Sequence, residues 1–142
     1  MDFAEVSTPS GVTRATSGYV GWGDAFVDFS NDGWPDIFLV NGHVYPQVDV
    51  IPERASYRQP KILLLNQRNG RFRNVSKQAG DAIEVRQVSR GMAIGDLFND
   101  GHLEAVVENL SGQPMILRPE GGPVNHLDQL SAGGGEVQSC GS

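Results

Sequence analysis

The chain has 142 residues, enough for one domain with a real core, and its 18 glycines and 8 prolines favour a turn-rich β protein over a helical one. A formal charge of -6 and a pI near 4.9 argue against nucleic acid or an anionic membrane surface as partner and leave cations as the natural counterpart. The lone Cys140 allows no intrachain disulfide, and the opening residues carry neither a basic segment nor a long apolar run, so no signal peptide and no membrane insertion are expected.

Phe3-Ala4-Glu5-Val6-Ser7 alternates apolar and polar residues before Pro9, Ser10 and Gly11, which predicts a short strand ending in a turn. Strands are next expected over Gly23 to Val27 and Asp36 to Asn41, with the nine residues Asp28 to Asp36 between them. Asp28, Ser30, Asp32 and Asp36 occupy the first, third, fifth and ninth positions of that stretch, and Gly33 stands at the sixth. Oxygen ligands at alternate positions around a sharp turn suit a calcium loop, with Trp34 giving its backbone carbonyl. Leu39 stands where an EF-hand needs its glutamate, so the loop belongs to a strand turn. Hard oxygen donors favour Ca2+ over zinc or magnesium. Two carboxylates about 5 Å apart repel by roughly 3 kcal/mol at an effective dielectric of 20, so three crowded acids call for a cation. The plainer alternative is an acidic turn whose carboxylates diverge into water.

Gly42 to Pro60 is too irregular to assign. Lys61 to Asn66 and Arg71 to Val75 are expected to pair as a hairpin through Asn69-Gly70. The phrase Phe72, Val75, Ser76, Gly80 then repeats Phe3, Val6, Ser7, Gly11 at a separation of 69 residues. Shifted by 68, Gly23, Ala25, Asp28, Asn31, Asp32, Gly33 and Asn41 meet Gly91, Ala93, Asp96, Asn99, Asp100, Gly101 and Asn109. Such an internal repeat of four-stranded units predicts antiparallel blades of a partial β-propeller, an all-β fold, over a small sandwich with a fortuitous repeat. The second unit offers strands at Met92 to Leu97, Ala105 to Asn109 and Met115 to Arg118, and lacks a fourth. Its loop keeps Asp96, Asp100 and Glu104, with His102 at the carbonyl position, and places Phe98 where a ligand is needed. It is therefore expected to be a weaker second metal site or an empty one, the alternative being a metal-free turn held by Asx-type hydrogen bonds. Beyond Leu130 the Gly/Ser tail has no apolar pattern and is expected to be disordered.

His43, His102 and His126 show no triad or metal spacing and read as surface or turn residues, and Ser30 reads as a ligand, not a nucleophile. Trp22 and Trp34 flank the first loop, where packing between blades is the commoner role and a sugar-stacking platform the alternative.

Gly21-Trp22-Gly23, Asp28 through Phe38, Asn41-Gly42-His43-Val44-Tyr45-Pro46, Leu63-Leu64-Leu65-Asn66, Asn69-Gly70-Arg71-Phe72 and Arg90 through Asp96 together resemble the FG-GAP (VCBS) repeats of proteins with an ASPIC/UnbV domain, the cartilage acidic protein-like group. Asn125-His126 stands where that domain opens, with Leu127 in place of the usual tryptophan. Phe98 replaces an acidic or amide ligand, and Asp24 a small or hydroxyl residue. These departures point to a truncated or altered gene product. The resemblance divides the chain into an outer strand of a preceding blade with a linker (1–20), a blade with a calcium loop (21–76), a second, incomplete blade (77–120), and the start of an ASPIC/UnbV domain with its tail (121–142).

It implies an extracellular or cell-envelope module that binds calcium and takes a structural, adhesion or ligand-binding role without catalysis. The partner would be a protein or carbohydrate, and further blades would lie in a longer parent chain. The rival reading is a fragment of a secreted carbohydrate-active enzyme such as a polysaccharide lyase, since FG-GAP modules also serve as scaffolds there. A third reading is a piece whose open blade edges make it aggregate.

Overall fold

The computed structural model describes residues 1–51 and 56–120. The expectations placed on 121–142, including Asn125, His126, Leu127 and Cys140, lie outside the described residues. Among the described residues seven strands form two antiparallel sheets. The first is a meander of β1 (Gly21–Val27), β2 (Asp36–Asn41), β3 (Ile62–Asn66) and β4 (Phe72–Asn74). The second contains β5 (Ser89–Gly95), β6 (Glu104–Asn109) and β7 (Met115–Leu117), again in chain order. Short helices, α1 (Val12–Thr16) and α2 (Asp81–Glu84), precede the two sheets, and a 3-10 helix spans Pro46–Val50. Among the described residues no helix is long and apolar enough to cross a membrane.

The sheets repeat one another in register. Ala25 pairs with Phe38 and Phe38 with Leu63 in the first; Ala93 pairs with Val106 and Val106 with Ile116 in the second. Both innermost strands slip at the same place, between Gly21 and Gly23 and between Ser89 and Gly91. Each slip takes one residue, Trp22 or Arg90, out of the ladder and re-aims its side chain, as a β-bulge does. The two side chains meet: the Arg90 guanidinium lies 4.3 Å from the Trp22 ring centroid. Trp22 Nε1 and Arg90 Nη1 both donate to the Gly42 carbonyl, at 2.7 and 2.9 Å. Trp22 is thus held against an arginine of the second sheet while remaining 44 % exposed, outside the core between the sheets.

One core lies between the sheets. Val27, Phe38 and Val40 of the first are buried against Ala105 and Val107 of the second, with Ile83 of α2 in the same cluster. The alternation that hides Phe38 and Val40 puts Ile37 and Leu39 on the other face, as the two-residue period of a strand requires. Lys61, just before β3, is also buried. Its Nζ donates to the Val85 carbonyl at 3.1 Å and touches Met115 Sδ at 3.2 Å, and burial lowers its pKa. Gln59 and Gln87 exchange backbone hydrogen bonds of 2.8 and 3.1 Å, tying the end of the Gly42 to Pro60 segment to the approach to β5.

The close approach of the sheets requires glycine at one point. A Cβ on Gly42 would lie 2.8 Å from Val88 Cα and 3.0 Å from Ser89 N, both backbone atoms, whereas nothing lies within 4 Å of a Cβ on Gly91. Gly42→Ala is expected to cost about 1–3 kcal/mol by overpacking and Gly91→Ala to stay within about 0.5 kcal/mol, read by urea denaturation. Equal effects would mean that the two sheets do not meet as described.

Three differences from the sequence expectations have physical reasons. No strand forms at Phe3 to Ser7: a strand needs a neighbour to complete its hydrogen bonds, and no described residue pairs with this segment, which leaves Phe3 and Val6 exposed. The segment nevertheless keeps the turn of its repeat. Ser7 N donates to Glu5 Oε1 (2.7 Å) and Ser10 N to the Val6 carbonyl (2.9 Å), as Ser76 N does to Asn74 Oδ1 (3.0 Å) and Ala79 N to the Val75 carbonyl (3.0 Å). β5 starts at Ser89, three residues before the expected Met92, because the bulge at Arg90 breaks the apolar alternation. The irregular segment after Gly42 contains the 3-10 helix, started by Pro46 at its first turn.

Candidate functional site

The loops Asp28 to Asp36 and Asp96 to Glu104 join β1 to β2 and β5 to β6. Their backbones follow the same path: φ is 55° at Asn31 and 54° at Asn99, and 84° at both Gly33 and Gly101. Asparagine and glycine are the residues that tolerate this left-handed region, so the Asn-Asp-Gly sequence dictates the turn.

In the first loop Asp28 Oδ1 accepts from Ser30 Oγ (3.2 Å) and Asp32 N (3.0 Å), and its Oδ2 accepts from Gly33 N (2.7 Å). Asp32 Oδ1 accepts from Trp34 N at 2.9 Å. Asp36, at the start of β2, is 2 % exposed and accepts from Asn66 N at 2.9 Å. The second loop repeats this pattern: Asp96 accepts from Asp100 N and Gly101 N (3.1 and 2.9 Å), and Asp100 from His102 N (3.1 Å). At its ninth position Glu104, fully buried, turns back so that Oε2 accepts from Leu97 N at 2.8 Å.

Two arginines that the sequence reading did not single out complete these loops. Arg68, in the β3–β4 turn, donates to Asp32 Oδ2 at 2.6 Å. Arg118, just after β7, pairs with Asp100, lies 3.6 Å from Glu104 Oε1 and stacks at 4.6 Å on the Phe98 ring. The signal for both is strand register: pairing of Ile37 with Leu64 and of Ala105 with Leu117 carries the residues following β3 and β7 alongside the loops.

Electrostatics separates the loops. Arg68 holds the Asp32 carboxyl below the usual range. It does not reach Asp36, whose pKa is pushed up to about 6, first by burial and then by the neighbouring carboxylates of Asp32 and Asp28, against the Asn66 hydrogen bond. In the second loop Asp96 is lowered, mainly by the Gly101 N–H with help from Asp100, Asn99 and Phe98. There Arg118 faces both remaining acids, and its stacking on Phe98 puts a guanidinium beside the position that lost its ligand.

Among the described residues no group of three or more acidic, histidine or cysteine side chains converges as a preformed metal cage, because Asp28 and Asp32 turn their oxygens to the loop N–H groups. The donor set of the first loop still fits a hard cation. Asp36 is a buried carboxylate facing two others and no guanidinium, a charge imbalance that a bound cation relieves. The second loop fits less well, since Arg118 already supplies positive charge, although Glu104 Oε1 has no hydrogen-bond partner among the described residues.

The remaining sequence candidates are not drawn into a site. His43 Nδ1 accepts from Tyr45 N at 3.1 Å within a turn, and Trp34 is partly exposed at the edge of the first loop. No curated protein matches the chain significantly. The sequence model of the FG-GAP-like repeat matches residues 28–107, from the first position of the first loop to the middle of β6. That match spans more than half of the sequence and takes in both loops and the core between the sheets, and the chain belongs to the FG-GAP-like repeat family.

Proposed function

We propose that the chain is a non-catalytic calcium-binding module: two neighbouring blades of a β-propeller, with Ca2+ held by Asp28, Ser30, Asp32, Asp36 and the Trp34 carbonyl. The family accounts for a structural or ligand-binding repeat. The calcium reading is carried by Asp36, buried beside Asp28 and Asp32, with its proton affinity raised first by burial and then by those two carboxylates. When bound, the ion neutralises the three carboxylates and ties β1 to β2. Asp28 already orders the loop through the N–H groups of Asp32 and Gly33, and Asp32 is paired with Arg68, so Asp36 is the carboxylate left without a counter-charge. The Asp96 to Glu104 loop, neutralised by Arg118, binds more weakly. An adhesion role outside the cell, and kinship with the ASPIC/UnbV group, follow from the family resemblance and belong to the same proposal.

Calorimetric titration with calcium tests this. One site is expected, with a dissociation constant of about 10 μM, a value typical of sensor-strength oxygen sites, and with roughly 2.7 kcal/mol of added stability at about 1 mM calcium. Asp32→Ala should abolish the heat. Wild type binding no better than that variant would end the calcium reading.

A further inference from the structure

The second sheet ends on a surface that the first sheet has covered. In the first sheet the row Ala25, Phe38, Leu63 faces the second sheet, and Phe38 is 1 % exposed. The matching row of the second sheet is Ala93, Val106, Ile116, where Ile116 is 58 % exposed. What covers the first row is a sheet face bearing Ile94, Ala105 and Val107. Sixty-eight residues earlier stand Phe26, Ile37 and Leu39, on the outer face of the first sheet, with Phe26 72 % exposed. The molecule therefore carries both halves of its own sheet-to-sheet contact, one on each outer side.

The sheet edges match in the same way. β3 is flanked by β4, with Asn74 opposite Leu64, whereas the outer edge of β7 has no partner among the described residues. By the repeat, the counterpart of Phe72-Arg73-Asn74-Val75-Ser76 is Phe3-Ala4-Glu5-Val6-Ser7. That segment already holds the turn hydrogen bonds found after β4, and Phe3 is 95 % exposed. Everything needed for a fourth strand is present except a neighbouring edge.

We infer that copies of this chain associate head to tail: residues Phe3 to Ser7 of one copy add as the fourth strand along β7 of the next, with Glu5 opposite Leu117, while Phe26, Ile37 and Leu39 cover Ala93, Val106 and Ile116. Backbone pairing gives such strand addition its affinity and the alternate side chains its register. The contact is heterologous, so it propagates until the accumulated rotation closes a ring. The inference rests on the two-blade reading and not on calcium; a chain that binds calcium but stays monomeric would refute the association alone.

The test uses the full-length chain in analytical ultracentrifugation without calcium. Wild type should assemble with rising concentration. Phe3→Asp, which spoils the donor strand, and Ile116→Lys, which spoils the receiving sheet, should each weaken association at least about tenfold. Both side chains are exposed in the single copy, so circular dichroism of the variants should match wild type. Mixed together, the two variants should form a 1:1 dimer and nothing larger, because the pair retains one intact contact, between the segment Phe3 to Ser7 of the Ile116→Lys chain and the β7 edge of the Phe3→Asp chain. A monomeric wild type, undiminished assembly of either variant, or no dimer on mixing would each overturn the inference.

Discussion

Phe38→Ala is expected to lower the unfolding free energy by about 3–5 kcal/mol, the cost of emptying a well-packed aromatic site. Phe38 is buried at the centre of the core between the sheets, and its ring meets Phe29 edge-on at 5.6 Å, a contact worth about 0.5–1.5 kcal/mol beyond the area hidden. Removing it opens a space bounded by both sheets, which neither can fill by moving alone. Phe26→Ala removes an equal volume from a position facing solvent and should cost less than about 1 kcal/mol in the dissociated chain. Urea denaturation of the two variants separates the cases. Similar losses would show that Phe38 does not occupy a shared core.

The second large effect is a pH dependence of unusual sign. Most buried acids of folded proteins are paired, and acid weakens the fold. Asp36 is raised from 3.8 to about 6, so between those values the folded chain binds more protons than the unfolded chain. Its contribution to stability is thus fully present below about pH 4 and is lost as pH rises through about 6, a decline of about 2 kcal/mol after allowing for partial solvent screening. Asp32 and Asp96, both lowered, act the other way and only below the ordinary carboxylate range. Calcium should reverse the slope between pH 4 and 6, because the ion competes with the proton for Asp36. Asp36→Asn should flatten the calcium-free curve while keeping an acceptor for Asn66 N. Thermal melts at several pH values, with calcium and with a chelator, read all three. A calcium-free chain that gains stability from pH 4 to 6 would contradict the assigned environment of Asp36.

Much of this was legible in the sequence. The two Asn-Asp-Gly turns fix their own backbone, and the alternation of Ile37, Phe38, Leu39 and Val40 is that of a strand with one face in a core. The 68-residue repeat correctly paired the loops and the inner strands. What escaped depends on residues distant in sequence. Lys61 reads as a solvent-facing strand residue until Val85 and Met115 close over it. Arg68 and Arg118 reach their acids only once strand register is known. Arg90 stands before the strand expected at Met92, and only the bulge reveals it as the partner of Trp22. Phe3 to Ser7 shows the converse: sequence pattern can specify a strand's side chains and its closing turn, but the ladder itself needs another edge.

The core shared by the two sheets has a consequence for how the protein is made. Val27, Phe38 and Val40 leave the ribosome well before Ala105 and Val107, the residues that cover them, have been translated. At roughly 5–20 residues per second, the first sheet spends several seconds with its largest aromatic face bare. It cannot complete its packing during that interval, since half of its hydrophobic partners do not yet exist. The nascent chain is thus most open to chaperone capture just before β6 appears, and folding begins in earnest when the second half of the repeat emerges.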